Sequence, residues 1–421
     1  MSEIQAGMKT VLIIYPHWPP SNLVGVHRVR LIANHLSSQG WHPVVLTVHQ
    51  KHYEETCIPE LESLVDDSVE VIKTDAKDVI WLFGMRLIGD IGLRGWKGLK
   101  STAKAILENR TVDFIWFSMP SWYPPLMAGA LKRQFKIPIG IDYQDPWVQR
   151  LPNDTPLLSR ARLTQCFARK MEPYVLKDVS LITAINASYV SGIRERHPEL
   201  DHVPRATFQL GFDEKDHQLE IKSQILWPEH SQCLIYAGAY LPLSAPFHRA
   251  LFKATRSLLD GGLISSNIFF LYVGTGHPNR PIQRIASEEG ITTHVLEIPE
   301  RISFLEIQQL LRKVHATMVI GSPEPHYSAS KVFQCVLSQR PVLGILHEQS
   351  EASTILEQCG GTSMIAKYRG NEEELVVSIK QALTNCLNGP HPQLSLAPLE
   401  PYHARNAARA FADAMNSIVA A

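Results

Sequence analysis

The chain has 421 residues, 45% of them apolar, and its 41 Lys and Arg residues are balanced by 41 Asp and Glu residues. This length suits two domains with full hydrophobic cores, and the balanced charge argues against a general nucleic-acid binder, which carries a basic excess. The six cysteines are scattered and form no CxxC pair. The start shows no signal-peptide pattern, and no apolar run reaches the roughly 18 residues that span a bilayer. These features predict a soluble cytoplasmic protein.

Short apolar runs alternate with helical patterns along the whole chain. In the first half the predicted strands are 10–16, 42–48, 69–75, 112–120, 138–144 and 179–185. In the second half they are 233–240, 267–274, 293–299, 316–321, 340–346 and 362–367. Nearly continuous apolar strands separated by helices are typical of parallel sheets that are covered on both faces. The sequence therefore predicts two doubly wound, Rossmann-like α/β domains.

Two segments rich in proline mark the boundaries of these domains. Residues 195–220 lack periodicity, so we predict an N-terminal domain over 1–205 and a second domain over 206–398. A final helical pattern follows the second segment, and residues 399–421 are predicted to pack back on the N-terminal domain. Two such domains are expected to face each other across a cleft at the carboxyl ends of their strands, where ligands normally bind.

Basic residues begin three predicted helices, each of which follows a predicted strand. They are His27, Arg28 and Arg30, then His248, Arg249 and Lys253, and finally Lys331. A cation at a helix start is unfavourable against the backbone dipole unless an anion is bound there. Three such starts indicate a doubly charged ligand, for which a diphosphate is the obvious candidate. Solvated surface charges are the alternative for the first group.

Two other strand ends carry residues suited to a ligand. Gly274 and Gly276 form a GxG after a strand, which fits either a phosphate loop or a plain tight turn. Asp142 and Asp145 in "IDYQDPW" suit the binding of sugar hydroxyls or acid–base work, with a turn-forming cap as the alternative. No GxGxxG follows a first strand and no GxxxxGK[ST] occurs, which argues against a nicotinamide enzyme and a P-loop NTPase. No metal-binding pattern stands out.

Four motifs together resemble glycosyltransferases of the GT-B fold, in particular the retaining family 4 and its polysaccharide-biosynthesis branch. They are "PPSNLVGVHRVRLIANHLSSQGWHPVVLTV" in the first loop, helix and second strand, "GIDYQDPW", "FQLGFDEKD" at the hinge, and "SASKVFQCVLSQRPVLGI" at the donor motif. Together they cover most of the chain. The first and the last are fairly specific, whereas "GFD" alone is weak.

The resemblance implies that the second domain binds a nucleotide-diphospho-sugar. Ser330 and Lys331 match the diphosphate end of the donor motif, and Gln334 stands where the family has a ribose-binding glutamate. The remaining donor candidates, each at a motif position or beside one, are Gly25, Arg28, Gly238, Lys253, Gly274, Gly276, Glu324 and His326. His326 replaces a glutamate near the sugar, and Gly238 begins "GAY" where the family has "G-R-L". Arg249 and Lys253 are therefore candidates for the missing positive charge.

The expected activity is a retaining, metal-independent transfer of a hexose to a hydroxyl acceptor, with no cofactor beyond the nucleotide-sugar substrate. Arg249 and Lys331 would stabilise the leaving diphosphate, and Asp142 and Asp145 would bind the acceptor. The acceptor is expected to be a saccharide or a lipid-linked saccharide. The aromatic and basic segment 79–99 predicts either peripheral membrane contact or a buried helix with a glycine-rich loop. The alternatives are a GT-B epimerase and a catalytically degenerate relative that only binds the donor.

Overall fold

The structure, a computed structural model, describes residues 7–82, 85–149, 151, 155–156, 159–209, 211–221, 223–325, 331–389 and 393–420. Two compact units divide the chain, one formed by Met1–Gly211 with Tyr402–Ala421 and the other by Phe212–Pro401. Both are parallel-sheet α/β domains, as the alternating pattern predicts.

The first domain is built on a seven-stranded parallel sheet. Its strands and the added hairpin are β1 (Lys9–Ile14), β2 (Trp41–Val48), β3 (Glu70–Thr74), β4 (Ile80–Leu82), β5 (Met85–Ile88), β6 (Phe114–Met119), β7 (Ile139–Tyr143), β8 (Leu181–Ala184) and β9 (Arg205–Thr207). The order across the sheet is β3-β2-β1-β6-β7-β8-β9, and β4 and β5 pair separately as an antiparallel hairpin. Its first helices are α1 (Val24–Leu36), α2 (Ile91–Arg94), α3 (Trp96–Asn109), α4 (Ala128–Phe135), α5 (Arg160–Leu176) and α6 (Ala187–Arg196).

Strand β1 shows why the sheet needs a continuous apolar sequence. Leu12 and Ile14 belong to the hydrophobic core on one face, whereas Val11 and Ile13 belong to the core on the other face. Successive side chains of a strand point to opposite faces, so a strand covered on both sides must be apolar at every position. All four residues are fully buried.

The second domain has a six-stranded parallel sheet. Its strands are β10 (Gln232–Ala237), β11 (Ile268–Val273), β12 (Val295–Ile298), β13 (Ala316–Ile320), β14 (Val342–His347) and β15 (Ile365–Tyr368), in the order β12-β11-β10-β13-β14-β15. Its helices are α7 (Ala245–Asp260), α8 (Pro281–Glu288), α9 (Phe304–Lys313), α10 (Lys331–Leu337), α11 (Glu351–Gln358) and α12 (Glu372–Asn388). The last helix of the chain, α13 (Ala404–Val419), belongs to the first domain and packs on α1.

Every strand predicted from the sequence overlaps a strand of the structure. The three strands that the sequence reading missed are β4, β5 and β9, which are each only three or four residues long. Segment 79–99 therefore contains the paired strands β4 and β5, helix α2 and the start of α3, and not one single helix. The side chains of Trp81, Phe83, Met85 and their neighbours lie outside the described residues. Among the described residues, no helix is long and apolar enough to cross a membrane.

Candidate functional site

The predicted site residues that the structure describes lie at the carboxyl ends of strands or on the helices α1, α7 and α10. Parallel sheets bind ligands at this edge because the loops that follow the strands converge there. The first domain contributes the ends of β1 and β7, and the second contributes the ends of β10 and β11 together with α10.

Arg28 and Asp142 form a buried ion pair in the first domain. The guanidinium donates Nε to Oδ2 at 2.9 Å and Nη2 to Oδ1 at 2.8 Å, and Nη1 donates to the Phe208 carbonyl at 2.7 Å. Ser118 and Thr183 donate their hydroxyls to the same carboxylate at 2.9 and 2.7 Å. Arg28 is 1% exposed and Asp142 is 0% exposed.

These contacts leave no atom of the pair available to a substrate. The sequence predicts Arg28 in a first helical turn and on a phosphate, but α1 begins at Val24 and the guanidinium binds Asp142 inside the domain. Asp142 was expected to bind an acceptor, yet its oxygens are used by the protein itself. The arrangement gives both residues an internal structural role, holding α1 against the ends of β6, β7 and β8.

Asp145 differs from Asp142 because its side chain is exposed. The surrounding protein atoms displace part of its water, which raises the pKa of the carboxyl above its ordinary value. The same charge contributes to raising the pKa of Tyr189, after burial of that phenol. Asp145 is therefore the predicted carboxylate that a ligand can reach.

A cavity of about 740 Å³ lies beside this carboxylate, where the end of β7 meets α5 and α6. Its lining includes Tyr143, Pro146, Gln149, Arg169, Ser188, Tyr189 and Arg196. Glu172 is buried and binds the guanidinium of Arg196 through two hydrogen bonds of 2.8 and 2.9 Å, which fixes one of the two basic groups. Aromatic rings and hydrogen-bond donors around one concave space are suited to a saccharide.

Gly25 lies at the start of α1 and is needed for close packing. A Cβ at this position would lie 2.4 Å from the Tyr15 hydroxyl oxygen. Gln144 also donates to the Gly25 carbonyl at 3.1 Å. The contacts of Gly25 are thus with the protein, and its predicted approach to a donor stays a prediction.

The contact between His17 and Glu55 in the first domain was not predicted from the sequence. His17 follows β1, and its Nδ1 lies 2.7 Å from Oε1 of Glu55. Thirty-eight positions separate the two residues, and neither belongs to a motif, so no spacing could reveal the contact.

Lys331 and Gly238 are in contact in the second domain. The Lys331 ammonium lies 3.2 Å from the Tyr236 hydroxyl oxygen and 4.8 Å from the centre of its ring. A Cβ on Gly238 would lie 2.0 Å from Cε of the lysine, so the present position of this side chain requires glycine at 238. Lys331 is thus held beside the loop that ends β10, in a donor-motif position. His326 and Ser330 lie outside the described residues, and Glu324 is exposed.

The charge of Lys331 acts on a buried histidine nearby. His248 is 0% exposed. Its pKa is lowered to about 3, mainly by burial and to a smaller extent by the charge of Lys331. This imidazole is therefore neutral at physiological pH, and His248 does not add a cation at the start of α7. Its Nδ1 lies 3.2 Å from the Tyr272 hydroxyl oxygen.

Gln334 lies one turn along α10, close to His217. Oε1 of Gln334 is buried without a hydrogen bond to a described residue, and neither ring nitrogen of His217 makes one of normal geometry. Burial and the Arg312 charge lower the pKa of His217 to about 4, although its contact with Gln334 opposes this shift. Two neutral polar groups with unused hydrogen-bonding atoms thus face each other where the family motif has a carboxylate.

Arg249 does not supply the free positive charge that the sequence predicts. Its guanidinium binds Glu288 at 2.5 Å and Glu289 at 2.8 Å, and these hydrogen bonds raise its pKa. Lys253 is exposed and makes no ion pair with any residue that the structure describes. Arg249 is thus held by two carboxylates, whereas Lys331 lies against the hydroxyl and the ring of Tyr236.

The Gly274–Gly276 loop is hydrogen-bonded to the end of β12 and the residue after it. The amide of Gly274 donates to the Ile298 carbonyl at 2.8 Å, and the amide of Gly276 donates to the Pro299 carbonyl at 2.9 Å. Both glycines have a positive φ, +76° and +77°. Because both glycine amides already donate to carbonyl groups of the protein, they are not available to bind a phosphate.

The two parallel-sheet domains that carry these sites have the GT-B fold, and comparisons with solved structures support this. No protein-family model matches the sequence, and no curated protein sequence matches it. Solved structures match over nearly the whole chain. Sucrose-phosphate synthase from Thermosynechococcus elongatus has a TM-score of 0.52 at 12% identity, covering 98% of this chain and 95% of that chain.

Two other matches were solved with nucleotides. Anabaena HepE, in complex with UDP-glucose, has a TM-score of 0.53 at 13% identity, covering 97% of this chain and 99% of that one. A mutant of S. aureus TarM, in complex with UDP and saccharide ligands, has a TM-score of 0.55 at 8% identity, covering 97% and 100%. At these identities the likeness establishes the fold, while the activity has to be argued from the residues.

Proposed function

We propose that this protein is a glycosyltransferase that moves a sugar from a nucleotide diphosphate to a hydroxyl acceptor. The observation that carries the proposal is the position of Lys331. Its side chain reaches the carboxyl edge of the second sheet because Gly238 has no Cβ. The leaving diphosphate gathers negative charge as the sugar–oxygen bond breaks. A fixed ammonium group stabilises that charge without reorganisation, which is the usual source of electrostatic catalysis.

Lys331 can do this work without a metal ion, so we propose a metal-independent transfer. The expected result is full activity after dialysis against EDTA. Loss of activity that Mg²⁺ or Mn²⁺ restores would contradict this part of the proposal.

The donor is proposed to be a nucleotide-sugar, and a UDP-sugar is the first to test because structural neighbours were solved with UDP or UDP-glucose. Thermal-shift measurements with UDP-, GDP-, ADP- and dTDP-glucose identify the nucleotide. A ligand at 100 times its dissociation constant adds about 2.7 kcal/mol of stability. Lys331→Met should abolish the shift, whereas Lys313→Ala, at an exposed lysine that ends α9, should keep it.

The acceptor is proposed to be a saccharide bound by the cavity beside Asp145. Arg169 on exposed α5 and the ring of Tyr189 supply a charged donor and a stacking surface. Such an acceptor fits the synthesis of a polysaccharide or glycoconjugate, in line with the family 4 resemblance. We place the protein in the cytoplasm because all six cysteines are unpaired, and a peripheral membrane contact through 79–99 is the corresponding proposal for a lipid-linked acceptor.

The stereochemical course is a separate part of the proposal. The resemblance to family 4 implies retention, in which the acceptor approaches from the side of the leaving diphosphate and a phosphate oxygen can take its proton. Inversion places the acceptor on the opposite side, where a protein base is needed. The configuration of the product decides between the two.

A donor-binding protein without turnover is the second candidate. Two observations favour it: Gln334 stands in place of a carboxylate, and the charge of Arg249 is already paired with Glu288 and Glu289. It predicts a thermal shift with a nucleotide-sugar but no glycoside product, and mass spectrometry of the reaction separates these outcomes. An epimerised donor has the same mass as the original, and chromatography of the same reaction would separate the two.

A further inference from the structure

The hydroxyl group of Tyr236 lies between the Lys331 ammonium and the backbone of the loop that follows β10. Its oxygen is 3.2 Å from Nζ of Lys331, and the hydroxyl donates to the Ala239 carbonyl at 3.0 Å. A phenol carries one proton, and a lysine ammonium only donates hydrogen bonds. Because the phenol proton goes to Ala239, the phenol oxygen accepts from Lys331, and the two contacts fit together.

The core of the second domain holds the Tyr236 ring in place. Tyr236 is 1% exposed and lies on β10, which pairs with β11 on one side and with β13 on the other. Its ring packs on His248 with the ring centres 5.7 Å apart, and on Tyr272 with the ring centres 5.5 Å apart. The hydroxyl is therefore presented to Lys331 by a side chain that is itself fixed.

The loop that accepts from Tyr236 is also held by the sheet. The amides of Gly238 and Tyr240 donate to carbonyl groups at the end of β11 and shortly after it, at 2.8 and 3.0 Å. Ala239 lies between these two residues. Gly238 is the residue whose missing Cβ leaves room for the stem of Lys331. The loop and the phenol thus both lie against the lysine side chain.

The sequence around this site explains why such support matters. Ala239 stands where the family resemblance implies an arginine, and Arg249 is bound to Glu288 and Glu289. Lysine carries its charge on a flexible four-carbon stem, so ordering it when a ligand binds costs conformational entropy. An ammonium group that is already ordered before the ligand arrives incurs less of this cost.

We propose that Tyr236 is a positioning residue, which orients the Lys331 ammonium for the diphosphate of the donor. This inference rests on the proposed function and concerns the second domain alone. Tyr236 acts through the lysine, because its ring is buried and its one phenol proton is used by Ala239. The hydroxyl therefore strengthens the binding of a nucleoside diphosphate and leaves the binding of the free nucleoside unchanged.

The test measures the affinity of the full chain for UDP and for uridine by isothermal titration calorimetry. GDP, ADP or dTDP with its own nucleoside replaces this pair if the thermal shift selects another nucleotide. Tyr236→Phe keeps the ring that packs in the core and removes the hydroxyl. We expect UDP to bind about five- to tenfold more weakly to this variant and uridine to bind as before.

Tyr272→Phe is the matched control. It removes the hydroxyl of the neighbouring buried ring, which lies 3.2 Å from Nδ1 of His248, and should leave the affinity for UDP unchanged. An equal loss of affinity for UDP and for uridine in Tyr236→Phe would indicate a general effect on the structure and overturns the inference.

A double variant separates positioning from a structural effect in a second way. Lys331→Met has no ammonium to orient, so adding Tyr236→Phe to it should weaken UDP binding no further. A further loss of the same size as in the single variant overturns the inference. So does an unchanged or higher UDP affinity in Tyr236→Phe when Lys331→Met has lost affinity, and this result leaves the proposed function intact. Absence of nucleotide binding by the unaltered chain overturns the proposed function, and the inference with it.

Discussion

The side chain of Lys331 fills the space that a Cβ on Gly238 would need. The built Cβ lies 2.0 Å from Cε and 2.4 Å from Nζ of the lysine. Gly238 also has a φ of +152°, which side-chain-bearing residues rarely adopt. The glycine that follows β10 and the lysine that begins α10 are therefore in direct contact, although they are 93 positions apart in the sequence.

Gly238→Ala should displace Lys331 and weaken donor binding. The methyl group cannot coexist with the present lysine position, so the ammonium must move away from the strand end. We expect at least a tenfold loss in affinity for the selected nucleotide-sugar, measured by isothermal titration calorimetry. Gly261→Ala is the control, because its φ is −82° and its nearest contact is an ordinary 3.4 Å. An unchanged affinity in Gly238→Ala would show that the contact has no part in binding.

Lys331→Met should lower turnover more than it lowers the stability of the fold. Methionine keeps the apolar stem against Tyr236 but removes the charge that would meet the diphosphate. A fall in kcat of about 10²–10³ is expected from the loss of one preorganised charge. Lys331→Arg should recover part of the rate. Near-normal activity of Lys331→Met with every donor would remove the basis of the diphosphate site.

The sequence was sufficient for the two sheets but not for the partners of the site residues. Continuous apolar strands such as β1 can be recognised locally, because both faces of the strand are buried. Arg28 could not be interpreted in the same way, since the carboxylate that binds it is 114 positions away. The sequence showed a cation near a helix start, and a phosphate and a buried aspartate satisfy such a cation equally well. His17 and Glu55 escaped notice for the same reason.

Breaking the buried pair of Arg28 and Asp142 should cost several kcal/mol of stability. Arg28→Met leaves a carboxylate in the interior, and Asp142→Asn leaves a guanidinium there. Removing one partner of a buried pair typically costs about 3–5 kcal/mol. Urea unfolding of the single variants and the double variant gives the coupling between them. The double variant should lose less than the sum of the single variants, and simple additivity would contradict the pairing.

Three buried histidines should make the protein less stable in mild acid. The pKa values of His27 and His248 are lowered to about 3 and that of His217 to about 4, in each case first by burial. Because the unfolded chain binds these protons near 6.5, it takes up more protons than the folded protein as the pH falls below that value. Each residue should therefore cost about 2 kcal/mol at pH 5 relative to neutral pH.

Urea unfolding at neutral pH and at pH 5 measures this loss. His248→Gln should remove about one third of it, because glutamine does not titrate in this range. A stability that is unchanged between the two pH values would contradict the burial of these rings.

Gln334→Glu should strengthen donor binding, because an ionised carboxylate accepts hydrogen bonds from ribose hydroxyls more strongly than an amide does. The gain is expected to be about 1 kcal/mol, or roughly fivefold in affinity. Calorimetry with UDP-glucose and with free UDP should show the same gain, since both carry the ribose. His217 is the competing partner: a protonated ring would bind the new carboxylate and cancel the effect. His217→Asn in the Gln334→Glu background removes that competitor. If neither the single nor the double variant binds more tightly, position 334 does not contact the nucleotide.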